Sequence, residues 1–356
     1  MTTKHLPLII FLFLAFNLSF AQTNNTHLFT GFDNSFRGTN SVRLMFYNLE
    51  NLFDTFNDTL KNDEAFLPTG NHHWTNYKYN EKSNNLAKVI LSVGGWEAVE
   101  IVGVCEVENR KVLEDLTQNT VLKKTNYKIL HQESPDNRGI DVALLYRPDK
   151  VKVDTVQYIK LSLGKEQRPT RDILYATLRT QNNAQIHVFV NHWPSRYGGQ
   201  MKSAPKRKAA AKLVRSYVDS ISLHQPNANI ILMGDFNDEP ENESIHTVLN
   251  AQADSTFQDS TQLFNLMSFI NGNNGTHKYQ GNWGVLDQFM VNQNLYEGHS
   301  KLKVISGPLI FKAPFLFTKE TKYPGIKPYR TYIGFKYSGG YSDHLPIFID
   351  LQLLNQ

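Results

Sequence analysis

A single α/β (α+β) domain built on large sheets is what this sequence predicts, and three observations lead to it. Short runs rich in Val, Ile, Leu and aromatic residues recur along the chain, each flanked by polar turn residues. Stretches with the apolar spacing of a helix lie between some of them. Across 356 residues there is no internal repeat and no long low-complexity linker. Strands and helices interspersed over such a length argue for one mixed domain rather than several small modules.

The N-terminal segment reads differently. Lys4 precedes an apolar run from Leu6 to Phe16, followed by Asn17-Leu18-Ser19-Phe20-Ala21. A positive start, a short apolar core and small residues at Ser19 and Ala21 predict a signal peptide over residues 1–21, cleaved after Ala21. The run is shorter than the roughly 18 apolar residues of a membrane span. No cysteine follows the cleavage point, so a bacterial lipid anchor is not indicated. The expectation is a secreted or periplasmic monomer with no stable membrane insertion. Residues 22–41, rich in Asn, Thr and Gly, are expected to form a polar leader before a domain spanning 42–356. Cys105 is the only cysteine and cannot pair within the chain; its apolar surroundings predict a small buried hydrophobe. The formal charge of +4 falls to +3 without Lys4, which permits a polyanionic substrate without pointing to one.

Taken in order, the domain opens with a strand at 42–47. A helix over 84–93 follows, with Leu86, Val89 and Ile90 on one face. Then come a strand at 99–105, a helix at 112–122 and strands at 142–146, 173–178 and 186–190. A helix at 206–221 packs through Ala209–Ala211, Leu213 and Val214 and sets Lys208, Lys212 and Arg215 on one face. Strands at 230–233, 285–291 and 345–351 complete the domain.

The ends of these strands carry the chemistry. Asn48 and Glu50 are two residues apart, which on a strand turns both to the same side. Glu106 closes the 99–105 run, and a carboxylate there needs a cation or a salt bridge if buried. Asp235 and Asn237 in Gly234-Asp235-Phe236-Asn237 repeat the two-residue spacing. Asp287 lies in an otherwise apolar run and needs a partner, and Ser342-Asp343-His344 precedes the last strand. Carboxylates and amides without thiolates select hard cations, Mg²⁺ first and Mn²⁺ or Ca²⁺ as alternatives, over zinc. His192 follows an apolar run and is either a satisfied rim histidine or a functional group; the Trp193-Pro194 turn fixes its position.

In this order, Asn48-x-Glu50, Glu106-Val107-Glu108, Asn191-His192, Gly234-Asp235-Phe236-Asn237, Asp287 and Ser342-Asp343-His344 resemble the motifs of the endonuclease/exonuclease/phosphatase superfamily, to which deoxyribonuclease I belongs. The resemblance runs from about residue 42 to 351. It implies a four-layered sandwich, two packed mixed sheets with helices outside and the site at one edge. It also implies roles. Glu106, with Asn48 and Asp343, would hold the metal; magnesium's preference for one or two carboxylates suits Glu106 with either Asp343 or Glu50. Asp235 and Asn237 would orient the attacking water and the scissile phosphate, or hold a second metal. His344, paired with Asp287, would be the general base. His192 would donate to a phosphate oxygen or the leaving group, oriented by Glu133.

Two segments look inserted relative to small nucleases. Residues 61–79 contain His72-His73, expected to be solvated loop residues rather than ligands. Residues 311–340 mix eight aromatics with six Lys or Arg and one Glu. They admit two readings, a surface that stacks bases and holds phosphates, with Lys327 and Arg330 as contacts, or an apolar hairpin covering the core. Arg168 and Arg171 flank a rigid Pro169-Thr170 turn and suit either phosphate contact or an ion pair with Asp172 or Glu166. The function expected is a divalent-metal-dependent nuclease acting on DNA or RNA. The alternatives are an inositol-phosphate phosphatase or sphingomyelinase-like enzyme, and a non-catalytic binding protein on the same fold.

Overall fold

The computed structural model describes residues 37, 40–164, 167–259, 261–270, 274–305 and 307–355. The expected signal peptide, most of the polar leader and Glu166 lie outside them. Among the described residues no helix is long and apolar enough to cross a membrane.

The recurring apolar runs form two seven-stranded sheets. In the first, Ser41–Leu52 lies centrally, parallel to Ile101–Val107 and antiparallel to Ile347–Leu353. Leu302–Val304 and Leu309–Ile310 pair with Ile347–Leu353. On the other side Asp141–Tyr146 joins Ile101–Val107 and carries Lys128–His131 at the edge. The second sheet runs Val151–Ile159, Ile173–Thr180, Gln185–His192, Asn229–Asp235, Asp287–Asn292, Leu263–Asn265 and Ala251–Gln252.

Alternation along each strand decides the layering. Val42, Leu44 and Phe46 turn inward and meet Ala176, Val188, Val190, Met233 and Phe289 of the other sheet. Met45 and Tyr47, one residue out of phase, face Leu86, Val89 and Ile90 of the helix Asn76–Gly94. Phe189, Ile230 and Leu232 likewise pack outward on Ala210, Ala211, Val214 and Val218 of the helix Gln200–His224. With both faces covered the strands read as nearly unbroken apolar runs, and each fully buried Val, Leu or Ile contributes about 1.5–3 kcal/mol. The result is the four-layered sandwich of helix, sheet, sheet and helix, with Cys105 buried between the sheets.

The boundaries differ from expectation for local reasons. Ser41–Leu52 runs past Tyr47 through Asn48 and Glu50, because a neighbouring strand continues to pair with it beyond a bulge. Ile347–Leu353 starts two residues late because Pro346 has no N–H for the ladder. The helix Gln200–His224 begins six residues ahead of the expected start and carries Pro205 inside it, where the missing N–H forgoes one bond of the helical ladder. Arg110–Gln118 stops short of Leu122, and a separate 3₁₀ turn, Val121–Thr125, follows.

The segments 61–79 and 311–340 pack on one another. Trp74 is fully buried and donates from Nε1 to the Phe53 carbonyl at 2.9 Å. Tyr332 lies edge-on to His72 and donates its hydroxyl to the His72 carbonyl at 2.8 Å. The 311–340 segment folds as the short hairpins Phe317–Lys319/Ile326–Pro328 and Tyr332–Ile333/Lys336–Tyr337, with Phe311, Leu316 and Tyr332 in the core. Much of its aromatic content is thus packing.

Candidate active site

Strand register assembles half of the site without help from loops. Parallel pairing sets His192 opposite Asp235, and antiparallel pairing sets Asp287 opposite the same Asp235. Three adjacent strand ends of the second sheet therefore present His192, Asp235 and Asp287 side by side. In the first sheet Asn48 stands opposite Cys105, and the register shifts immediately afterwards on both sides of Glu106.

Glu50, Asn51, Glu106 and Asn237 have φ values of 49°, 55°, 60° and 53°, in the left-handed region. Such conformations are uncommon for side chains with a Cβ and typically cost about 1–3 kcal/mol each. Here they re-aim side chains at the rim. Asn51 donates its N–H to Glu106 Oε2 at 3.0 Å, and Asn48 Oδ1 accepts the Glu50 N–H at 2.9 Å. Simple alternation would turn Asn48 and Glu50 the same way; the bulge divides them. Asn48 donates to Asp235 Oδ2 at 3.1 Å, whereas Glu50 accepts from the Thr331 N–H at 2.7 Å and from Arg330 Nε at 2.9 Å.

The two sheets meet at His344. Its Nδ1 lies 2.7 Å from Asp287 Oδ2 and its Nε2 3.8 Å from Asp235 Oδ2. Ser342 fixes the approach, donating to the Asn48 carbonyl at 2.7 Å and accepting the His344 N–H at 3.1 Å. His192 Nε2 faces Glu106 Oε1 at 3.7 Å and Asp235 Oδ2 at 3.8 Å. Its buried Nδ1 has no hydrogen-bond partner among the described residues.

Charge separates the groups. Burial disfavours the His344 cation, but Asp287 and Asp235 outweigh it and hold the imidazole protonated well above its ordinary range. Burial, then Arg171, Arg138 and His344, keeps His192 neutral, well below that range. Burial also raises Asp235 to about 7, against the pull of His344. Asp343 is pulled up by burial, yet Arg330, His344, His277 and Lys82 prevail and leave it at about 2.

Ten of the residues singled out from sequence thus come together: Asn48, Glu50, Glu106, His192, Asp235, Asn237, Asp287, Arg330, Asp343 and His344. Asn237 turns its side chain to the Trp193 carbonyl at 3.0 Å and its N–H to Asp235 Oδ1 at 2.9 Å. Glu133 does not join them. It is exposed, whereas Asp136 three residues on is buried and lies 3.3 Å from Arg171. Arg171 is itself buried and donates to the Trp193 carbonyl at 2.5 Å, so it props the His192 loop instead of facing solvent. Lys327 is engaged by Glu320 at 3.1 Å. Arg168 is exposed and lines a cavity of about 630 Å³ with Tyr197, Lys202 and Lys206.

Sequence reasoning missed His277 and Lys82. The His277 ring packs 4.7 Å from that of His344, and its pKa falls to about 4 through burial and then the His344 charge. Lys82, fully buried, donates to Thr331 Oγ1 at 2.5 Å and the Tyr341 carbonyl at 3.2 Å. Its lysine type inside an apolar helix face was the one available signal.

The donor set suits a hard cation. Glu50, Glu106 and Asp343 supply carboxylate oxygen, and the only cysteine is buried in the core. Among the described residues two groups have ligand atoms within 4.8 Å of one another: His277, Asp343 and His344, and Asp235, Asp287 and His344. One oxygen of Asp287 is buried without a hydrogen-bond partner. Glu50 and Glu106 belong to neither group, and nor do His72 and His73.

The model of the Endonuclease/Exonuclease/phosphatase family matches residues 43–353, which takes in every strand-end motif above. The chain belongs to this family. Among solved structures it is similar to the human Nocturnin catalytic domain with bound sulfate (18% identity, 89% of this chain and 96% of that one, TM-score 0.53). A Bacteroides thetaiotaomicron mannosyl-6-phosphatase is similar too (16%, 87% and 99%, 0.55), as is D. rerio TDP2 with a single-stranded DNA product (12%, 88% and 100%, 0.53). At these identities the likeness establishes the shared fold. A search of curated proteins gives no match.

Proposed function

We propose that the protein is a divalent-metal-dependent phosphoesterase that hydrolyses phosphodiester bonds of nucleic acid. The observation that carries this is the buried Asp287–His344–Asp235 series joining the two sheets beside a separate set of carboxylates. Hydrolysis needs a proton acceptor for water, a cationic contact for phosphoryl oxygens and a proton for the leaving oxygen.

The charges favour a division of labour different from the one the resemblance implies. Asp235, with its pKa near 7, takes the proton from water. His344 stays an imidazolium between Asp287 and Asp235 and steadies phosphoryl charge. Neutral His192 positions water or substrate beside Glu106. A bound Mg²⁺ or Mn²⁺, held by Glu50, Glu106 and Asp343, would supply neutralisation of phosphate charge. Arg168, Lys202, Lys206 and the exposed Tyr197 support a polynucleotide over a small ester, since cations beside an aromatic face suit a single strand. The leader pattern of residues 1–21 supports action outside the cytoplasm.

The test is hydrolysis of plasmid DNA, RNA, bis-p-nitrophenyl phosphate and sugar phosphomonoesters by purified protein, each with and without chelator. Chelator-sensitive cleavage of polynucleotide and diester is expected. Cleavage of monoesters alone would replace the nuclease by a phosphatase, and full activity in excess chelator would remove the metal.

A further inference from the structure

Resting on the metal-dependent reading, we infer that Arg330 competes with the divalent cation for its carboxylates and passes its guanidinium to the phosphate once the cation binds. Arg330 Nε donates to Glu50 Oε1 at 2.9 Å, and its Nη2 lies 3.0 Å from Asp343 Oδ2. One planar fork thus spans two of the three carboxylates assigned to the cation, a bridge that a lysine cannot make.

The carboxylates and the arginine are held to different degrees. Glu50 also accepts the Thr331 N–H at 2.7 Å, a backbone bond separate from the guanidinium. Lys82 lies buried beneath, and its charge acts on both Glu50 and Asp343. The Arg330 side chain is 41% exposed while those of Glu50 and Asp343 are 5% and 21% exposed, so the arginine is the member free to leave.

Charge decides when it leaves. The carboxylates Glu50 and Asp343 both face the charges of Arg330 and Lys82. A divalent cation on Glu50 and Asp343 would compete with the guanidinium for the same oxygens and repel it. The guanidinium then swings outward, where an incoming phosphate offers the oxygen pair that it binds in bidentate fashion. Cation and phosphate therefore bind with positive coupling, and by linkage each tightens the other equally. Residues 311–340 contribute this one charged group to the site, whereas Lys327 of the same segment is tied to Glu320.

The test is Mn²⁺ titration of the purified chain by calorimetry, without substrate, for wild type, Arg330→Gln and Arg330→Lys. Removing the competitor in Arg330→Gln should tighten Mn²⁺ binding about tenfold, the weight of one charge-assisted pair. Arg330→Lys, reaching one carboxylate only, should tighten it less. Inorganic phosphate should strengthen Mn²⁺ binding more in wild type than in Arg330→Gln. An unchanged or weaker Mn²⁺ affinity in folded Arg330→Gln overturns the proposal. Should that variant not fold, a crystal structure of wild type with Mn²⁺ decides: the guanidinium is expected off both carboxylates, and a persisting bridge refutes it. No Mn²⁺ binding to wild type would remove the metal reading itself, whereas equal affinities remove only the competitor role.

Discussion

Replacing Asp287 by Asn preserves shape and withdraws the charge that faces His344 Nδ1 at 2.7 Å. A hydrogen bond to a charged group is worth about 1.5–3 kcal/mol and a neutral one about 0.5–1.5. The substitution therefore takes about 1–2 kcal/mol from the imidazolium, which corresponds to about a 5–30-fold loss of turnover. His344→Ala, which deletes the group, should lose about 10²–10⁴-fold. The pH profile then separates two roles. If protonated His344 serves the reaction, wild-type turnover falls as pH rises through its raised pKa, and Asp287→Asn moves that basic limb to lower pH. Stability follows the same sign. A raised pKa stabilises the fold fully below the unfolded value of about 6.5 and is lost as pH rises through the folded value. The variant's stability deficit should thus be largest on the acid side and narrow with rising pH. The assay is kcat and kcat/KM on bis-p-nitrophenyl phosphate across about pH 5–10, with thermal melts at each pH. A shift of the acidic limb instead would restore His344 as general base and refute the division of labour argued here.

Three further outcomes are expected. Glu106→Gln keeps an oxygen for the Asn51 N–H, so its melt should match wild type while calorimetric Mn²⁺ affinity drops more than about 10-fold. Asp350→Ala strands Arg43, which is fully buried and bound to both Asp350 oxygens at 2.8 Å; urea unfolding should show about 3–5 kcal/mol lost. Charge reversal at Arg168, Lys202 and Lys206 together should raise the KM for single-stranded DNA and flatten its log–log salt slope by roughly 0.7 per phosphate contact, whereas Lys327→Gln should leave the slope alone because Glu320 already neutralises Lys327.

The central strands were legible because both of their faces are covered, which leaves an apolar run in the sequence. Val151–Ile159 was not, because it is an edge strand whose middle is exposed and polar. Site residues at strand ends stood out as polar groups flanking such runs, and nine of them converge. Glu133, placed there by the resemblance, stays exposed: the chain turns at Ser134, held by Asp141 at 2.8 Å, and the buried acid that follows, Asp136, binds Arg171. His277 sits on a short hairpin with no apolar run to flag it. The Arg330–Glu50 pair joins residues 280 positions apart, and no local pattern encodes it.

The place where sequence misled most is also where the chemistry concentrates. Asn48 and Glu50 obey a two-residue strand period on paper, yet the left-handed turn at Glu50 assigns one to Asp235 and the other to Arg330. Without the bulge, both side chains would crowd one side of the strand and the Glu50 carboxylate would act on the same pocket as Asp235. With it, the rim divides into a region around Asp235 and His344 and one around Glu50 and Asp343, which the proposed function assigns to proton transfer and to the cation. Asn48 ties the first region to the strand that carries the second. Backbone strain at four rim positions is thus a requirement of having two charge environments side by side, and the packed sheets behind supply the stability that sustains it.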